Sequence, residues 1–324
     1  MRIALIFNAL RPDTTGIYFE RACRGLGLEV RRWPLDAIEE VPSGYDLYLR
    51  IDHGDDYEVR PPARLRPVVF YAIDTHLSHS WKKIRRIAPA YDRVFCAHRQ
   101  GAERLRDASW LPVACDPELH GAAVVEDDAP QDYSRPPSVR PSCVADDPAA
   151  WDLAFVGTDC GVPRKFYLQA LRERYPNSRI GVAAHTKIAS IYRRSRIGFN
   201  YSIRREVNMR VFEVLAAKTL LITNALPEDD FDRLGFHERC ELITYRRPGE
   251  LLERIDEMLS RPEERRRIAA AGHEVVMARH TYRHRVRQML SELGFSIPGR
   301  HVSSFEFRVS SSDISGAGHL KPGT

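Results

Sequence analysis

Residues 208–223, NMRVFEVLAAKTLLIT, place Asn208, Arg210 and Glu213 in the opening turns of an otherwise apolar helix that leads into an apolar strand. Val211, Phe212, Val214, Leu215 and Ala216 ask for burial on most faces of that helix, and an ionised carboxylate is rarely buried without partners. Two readings of Glu213 stay open. In one, Arg210 and Glu213 form a surface ion pair on a narrow solvent-facing stripe, worth only about 0.2–0.5 kcal/mol. In the other, the helix amino terminus faces a cleft, where its free N–H groups and positive dipole end attract a diphosphate and Arg210 adds charge. Glu213, one turn in, would then accept two hydrogen bonds from a ribose diol. Asn208 has the position and chemistry of an N-cap that accepts from a first-turn N–H.

Other residues suit the same chemistry. Gly157 and Thr158 end an apolar strand and lead through Gly161 to Arg164-Lys165. A glycine there lets backbone N–H groups approach phosphate, and Arg164 can pair with its oxygens; Arg164-Lys165 reads equally as a solvated helix start. His185, with Thr186 and Lys187, follows a strand and lies either beside a nucleobase or in an ordinary polar loop. In the first half of the chain, Asp74 and His76 close a buried strand, where they can orient or deprotonate a hydroxyl; a helix cap and a satisfied surface imidazole are the competing roles. The loop 8–16 closes over an acceptor or is turn chemistry around Asp13 and Gly16. Asp55-Asp56 and Asp229-Asp230 are adjacent acid pairs, but no D-x-D pattern stands in a strand context, so no metal is expected.

The elements that must position these groups alternate. The short apolar run at 3–7 reads as a buried strand, further strands read at 29–33, 45–51, 67–73, 93–97 and 108–112, and helical spacing at 18–24 and 100–106. Residues 124–150 turn rich in Pro, Asp and Ser without periodicity, as a linker does. Alternation resumes with strands at 151–157, 179–182, 197–201, 220–223 and 241–245, and helices at 164–175, 188–194, 248–259, 262–279 and 282–293. The expected class is α/β, with two Rossmann-like domains facing across a cleft. The divisions fall at 1–118 for the first domain, 119–150 for the linker and 151–281 for the second domain; a helix at 282–300 returns to the first domain, and 301–324 is a polar tail without assigned function.

Composition sets the frame. The chain has 324 residues, 43 % hydrophobic and 29 % charged, enough for two cores. Its net charge of +5, from 49 basic and 44 acidic side chains, is mild and evenly spread, so no nucleic-acid partner is expected. The 6 cysteines show no C-x-x-C pair and read as reduced thiols. The apolar start at 3–10 lacks a cleavage site, and no stretch approaches the roughly 18 apolar residues of a membrane span. A cytoplasmic protein is expected.

Several blocks together carry a family resemblance: Asn208-Met-Arg-Val-Phe-Glu-Val-Leu-Ala-Ala with Leu-Leu-Ile-Thr after it, then Tyr245-Arg-Arg-Pro-Gly-Glu-Leu-Leu, then Glu263-Glu-Arg-Arg-Arg-Ile-Ala-Ala-Ala-Gly-His, then Arg279-His-Thr-Tyr-Arg-His-Arg. In order and spacing, over about residues 152–290, this resembles the carboxyl-terminal domain of the CgeB-like (spore-maturation-type) glycosyltransferases. The resemblance implies a retaining, hexosyltransferase-type enzyme of the GT-B fold, with a nucleotide sugar as donor substrate on the second domain and no further cofactor. The acceptor, a glycan, glycolipid or small metabolite, would sit on the first. It assigns Glu213 to the donor ribose, Asn208 and Arg210 to the family motif, and the diphosphate to the Gly157 loop. One position departs: the broader retaining class has a second Glu eight residues before Glu213, where this chain has Arg205, with Glu206 the nearest acid.

Overall fold

The computed structural model describes residues 1–54, 57–121, 149–159, 161–226 and 230–296. Asp55-Asp56, Asp229, most of the expected linker, Cys143, Cys160 and the 301–324 tail lie outside the described residues.

The first domain runs β1 (Arg2–Ile6), α1 (Thr15–Gly25), β2 (Glu29–Trp33), β3 (Leu47–Ile51), β4 (Val68–Ala72), α2 (Ser78–Ile87), β5 (Arg93–Cys96), α3 (Arg99–Arg104), β6 (Ala108–Trp110) and α4 (Pro117–His120). Its six strands form one parallel sheet in the order β2-β1-β3-β4-β5-β6. Both β3 and β4 are buried at every residue, as strands covered by helices on two faces must be. Helix α2 is absent from the sequence reading. Its apolar residues Trp81, Ile84 and Ile87 recur at every third position among Lys and Arg, and all three are buried.

The second domain contains β7 (Trp151–Val156), α5 (Arg164–Arg174), β8 (Ser178–Gly181), α6 (Ile188–Arg193), β9 (Ser195–Asn200), α7 (Met209–Ala216), β10 (Leu220–Asn224), α8 (Asp230–Arg233), β11 (Ile243–Tyr245), α9 (Pro248–Ser260), α10 (Pro262–Arg279) and α11 (Tyr282–Glu292). Its five strands are also parallel, in the order β11-β10-β9-β7-β8. The chain reverses its direction of winding between β7 and β9, and such a switch point opens a crevice at the carboxyl ends of the strands. Helix α7 starts beside it. Gly198 of β9 lets α7 lie close on the sheet, because a Cβ there would stand 2.4 Å from Val214 Cγ1.

The domains meet where α10 passes into α11. Cys115 N donates to His280 O, and Tyr282 N donates to Cys115 O, each at 3.0 Å. Helix α11 then packs along α1, with Tyr282 stacked on Tyr18 at 5.3 Å between ring centroids. One apolar cluster accordingly runs from Leu5 and Tyr18 through Tyr282 to Phe212 and Leu215, across both domains. Within it lies Arg285, 4 % exposed, whose Nε donates to Pro112 O at 2.7 Å. Its other nitrogens donate to Val113 O at 3.3 Å, Arg279 O at 3.2 Å and His280 Nδ1 at 2.8 Å. Burial pushes this guanidinium down to about 10, still charged at neutral pH.

Arg285→Met keeps most of the apolar stem but leaves the buried carbonyls of Pro112 and Val113, and the part-buried one of Arg279, without this donor. Urea unfolding is expected to show a loss of about 3 kcal/mol; a loss below about 0.5 kcal/mol, the range of ordinary surface substitutions, would show the crossing to be held otherwise.

Candidate functional site

Glu213 is half-buried, its side chain 12 % exposed, and it faces the first domain. Oε1 stands 3.9 Å from Nε2 of His120, the last residue of α4. The surface ion pair with Arg210 does not form. Arg210 turns the other way: Nε donates to Val156 O at 2.9 Å and NH1 to Asn200 Oδ1 at 3.0 Å, so the guanidinium ties the ends of β7 and β9 together. Its carbon lies 4.2 Å from the centroid of the Phe155 ring, which supports the charge from below.

Gly157 follows β7 with φ +147°, and a Cβ there would lie 2.3 Å from Arg210 NH2. The glycine is therefore required by the arginine. Its own N–H is committed to Gly181 O at 3.0 Å, which ties the start of this loop to the end of β8. Thr158 is exposed in the loop beyond. Arg164 opens α5, half-buried, its guanidinium carbon 5.8 Å from the Phe155 ring, so two arginines flank one aromatic. His185 is half-buried in a 3-10 turn, His185–Lys187, and is an electrostatic neighbour of His120. The structure thus brings Glu213, His120 and His185 together, and Gly157, Arg164 and Arg210 around Phe155.

Asn208 occupies the N-cap position of α7 but makes no capping hydrogen bond. Its Nδ2 instead donates to Ser202 Oγ at 3.2 Å, and its Oδ1 is buried without a partner. The loop 201–207 competes with the helix for this side chain and wins.

On the first domain, Asp74 and His76 form a 3-10 turn after β4. The turn is held by Asp52, which sequence reading missed. Buried at 2 % exposure, Asp52 accepts from Gly54 N, Tyr57 Oη, Ile73 N and Asp74 N at 2.8–3.1 Å. The missed signal is an acid directly after a mostly apolar strand, Leu47–Ile51, the same placement that singled out Asp74. His76 packs edge-on against His98 at 4.4 Å, and its Nδ1 is buried without a partner. Both lie in a pocket between the domains that also includes Gln100, Trp110, Glu206 and Val207. Burial pushes His76 below its ordinary value against the raising effect of Glu206, and pushes His98, beside His76, down to about 3. Across the same pocket Arg99 Nε donates to Asp230 Oδ1 at 2.6 Å, an ion pair between the domains. Among the described residues, no three His, Cys, Asp or Glu side chains gather as metal ligands would, and no helix is long and apolar enough to cross a membrane.

Residues 147–291, the second sheet with its helices up to α11, match a family model described as glycosyl transferase-like. No curated protein sequence matches the chain. Among solved structures, an alpha-glucosyltransferase in complex with UDP-glucose and DNA containing an abasic site aligns with a TM-score of 0.60 at 10 % identity, over 91 % of this chain and 99 % of that one. HepE of Anabaena, in complex with UDP and glucose, aligns at 0.59 and 10 % identity over 91 % and 99 %. Sucrose-phosphate synthase of Thermosynechococcus elongatus aligns at 0.59 and 13 % identity over 91 % and 98 %. The fold is therefore GT-B: two parallel-sheet α/β domains facing across a cleft. The expectation of no nucleic-acid partner is corrected, because a structure that shares this fold is itself a complex with DNA and another is described as a DNA-modifying beta-glucosyltransferase. An even, mildly positive surface charge does not exclude a nucleic acid seated in such a cleft.

The buried imidazoles give a pH dependence. His98 and His280 titrate near 3 in the folded chain because burial disfavours their charged forms, whereas unfolded histidine titrates near 6.5. Below about pH 6.5 the unfolded chain binds the extra protons, so stability is complete above that value and is lost as pH falls towards 3. Each group contributes at most about 1.4 kcal/mol per pH unit. Urea midpoints measured from pH 7 to pH 4.5 are expected to fall steadily, and His98→Asn to remove about one proton from the slope.

Proposed function

We propose that the protein is a glycosyltransferase that moves a sugar from a nucleotide-sugar donor to an acceptor hydroxyl. The observation that carries this reading is the placement of Glu213, a half-buried carboxylate in the opening turns of α7 at the winding switch of the second sheet, facing the first domain. The match of residues 147–291 to a glycosyl transferase-like family supports it, as do the fold neighbours that hold UDP-glucose or UDP.

In this reading Glu213 takes the ribose diol, and His185 lies beside the nucleobase. The α7 amino terminus with Arg210, and Arg164 with the Gly157–Thr158 loop, face the diphosphate. These fixed positive groups stabilise the charge that develops on the leaving diphosphate, so a metal-independent, hexosyl-type transfer is proposed. The acceptor oxygen bonds to the anomeric carbon while the bond from that carbon to the diphosphate oxygen breaks. Asp74 and His76 orient the hydroxyl, and its proton leaves with the diphosphate. Retention of anomeric configuration and the CgeB-like subtype rest on the motif blocks around Glu213 and Arg279. The free thiols Cys23, Cys96, Cys115 and Cys240 fit a reducing, cytoplasmic setting.

A second reading, a nucleotide-sugar-binding protein without turnover, is favoured by one observation. Arg205, where the retaining class has an acid, is exposed in a left-handed backbone conformation, φ 59°, at the rim of the interdomain pocket.

Calorimetric titration with UDP, GDP, dTDP and ADP is expected to find one tight binder, and Glu213→Gln to weaken it about tenfold or more through loss of charge-assisted hydrogen bonds. Unchanged affinity for every nucleoside diphosphate would remove the donor assignment. Release of nucleoside diphosphate from the matching sugar donor, with glycan, glycolipid, metabolite and DNA acceptors, separates transferase from binder.

A further inference from the structure

His120 belongs to the chain of the first domain, yet it is fully buried at 0 % exposure against the second, with α4 packed on α6 and α7. Its Nδ1 accepts the main-chain N–H of Asp116 at 3.0 Å. That bond fixes the tautomer of the neutral ring: the proton is on Nε2. Nε2 is buried and has no hydrogen-bond partner, and the carboxylate oxygen of Glu213 stands 3.9 Å away. A buried donor held next to an acceptor, with its other nitrogen already committed, calls for a partner.

The geometry points to His120 as a positioning residue for Glu213: its Nε2–H is aimed at the carboxylate and orients the oxygens that receive the ribose diol of a nucleoside diphosphate. This rests on the donor assignment of Glu213 given above. An approach of about 1 Å brings the pair to hydrogen-bond distance. An ionised carboxylate offers about four lone-pair sites on two oxygens, so one spent on His120 leaves enough for both ribose hydroxyls.

The four-residue helix that carries His120 is built to hold it. Asp116 caps the helix by accepting from Glu118 N at 2.9 Å and Leu119 N at 3.1 Å, and its other oxygen accepts from Arg21 Nε at 2.6 Å. Glu118 is gripped by Arg21 of α1 at 2.7 Å and by Arg283 of α11 at 2.6 Å. The edge of the imidazole meets Tyr18, with centroids 5.3 Å apart and planes at 71°. The ring is thereby held at Nδ1 by Asp116 and against Tyr18, which leaves Nε2 toward Glu213. Burial keeps it neutral by pushing its pKa below the ordinary value, against the raising effect of Glu213 and Asp116. A neutral donor can align a carboxylate without neutralising it.

The test is a double-mutant cycle read by nucleotide affinity. His120→Asn keeps an acceptor where Nδ1 stands and removes the donor; His120→Gln places an amide N–H near the position of Nε2. Ligands are the ribonucleoside diphosphate that binds the wild-type chain most tightly and its 2′,3′-dideoxy counterpart. His120→Asn is expected to weaken the ribonucleotide about tenfold, to leave the dideoxy compound unchanged and to have no further effect on Glu213→Gln, while His120→Gln recovers most of the loss. Equal weakening of both ligands, additivity with Glu213→Gln, or no weakening overturns the inference even where Glu213→Gln alone weakens binding. If Glu213→Gln itself binds the ribonucleotide normally, the donor assignment falls and this inference with it. Nitrogen-15 NMR of the histidine-labelled wild-type protein needs no variant: an Nε2–H signal that moves on ribonucleotide addition is expected, and an Nδ1–H tautomer for His120 overturns the inference.

Discussion

A buried guanidinium holds the molecule in the shape its cleft requires. Arg285 is taken out of water at the crossing between the domains, and desolvating a charge is unfavourable unless every donor finds an acceptor. Pro112, Val113 and Arg279 supply carbonyls and His280 a ring nitrogen, so the penalty is offset only when β6, the end of α10 and α11 stand in one arrangement. That arrangement places α11 against α1 and seats α4 on α7. The proximity of His120 and Glu213, from α4 and α7, follows from it.

The second domain meets a related problem at Arg210. Its guanidinium is half-buried between two strand ends, and Val156, Asn200 and Phe155 hold it there. A cation fixed in this way has already lost the side-chain freedom that a mobile surface arginine would still have to give up on binding an anion. The same residue also pins β7 to β9, so any change at Arg210 acts on the sheet and on the cleft together. Gly157 is bound into this arrangement, its bare α-carbon leaving the space that the guanidinium fills.

Much of this was legible in the sequence. Short runs bounded by turns placed the strands among the described residues within two residues at each end, most firmly β3 and β4, whose burial on both faces demands a mostly apolar composition. The polar triplet opening α7 stood out against its apolar neighbours. What stayed hidden depends on tertiary contact. Helix α2 buries only Trp81, Ile84 and Ile87 among basic residues, and its pattern is thin without the sheet beneath it. Asp52, His98 and His120 are isolated in sequence, and only folding surrounds them. Asn208 carried the right local signal for a cap, but Ser202, brought close by the preceding loop, took its amide. Gly157 was singled out for phosphate approach, whereas the contact that demands its bare α-carbon comes from an arginine more than fifty residues away, which no local pattern shows.

Gly198 lies beneath α7, its α-hydrogen filling the narrow gap below Val214, and Glu213 is the neighbour of Val214 on the same turn. Even one methyl group at that spot has to raise the helix from its bed, and the acid rises with it. The height of the acid above the sheet is thus governed from beneath the helix, by a glycine in the strand on which it lies.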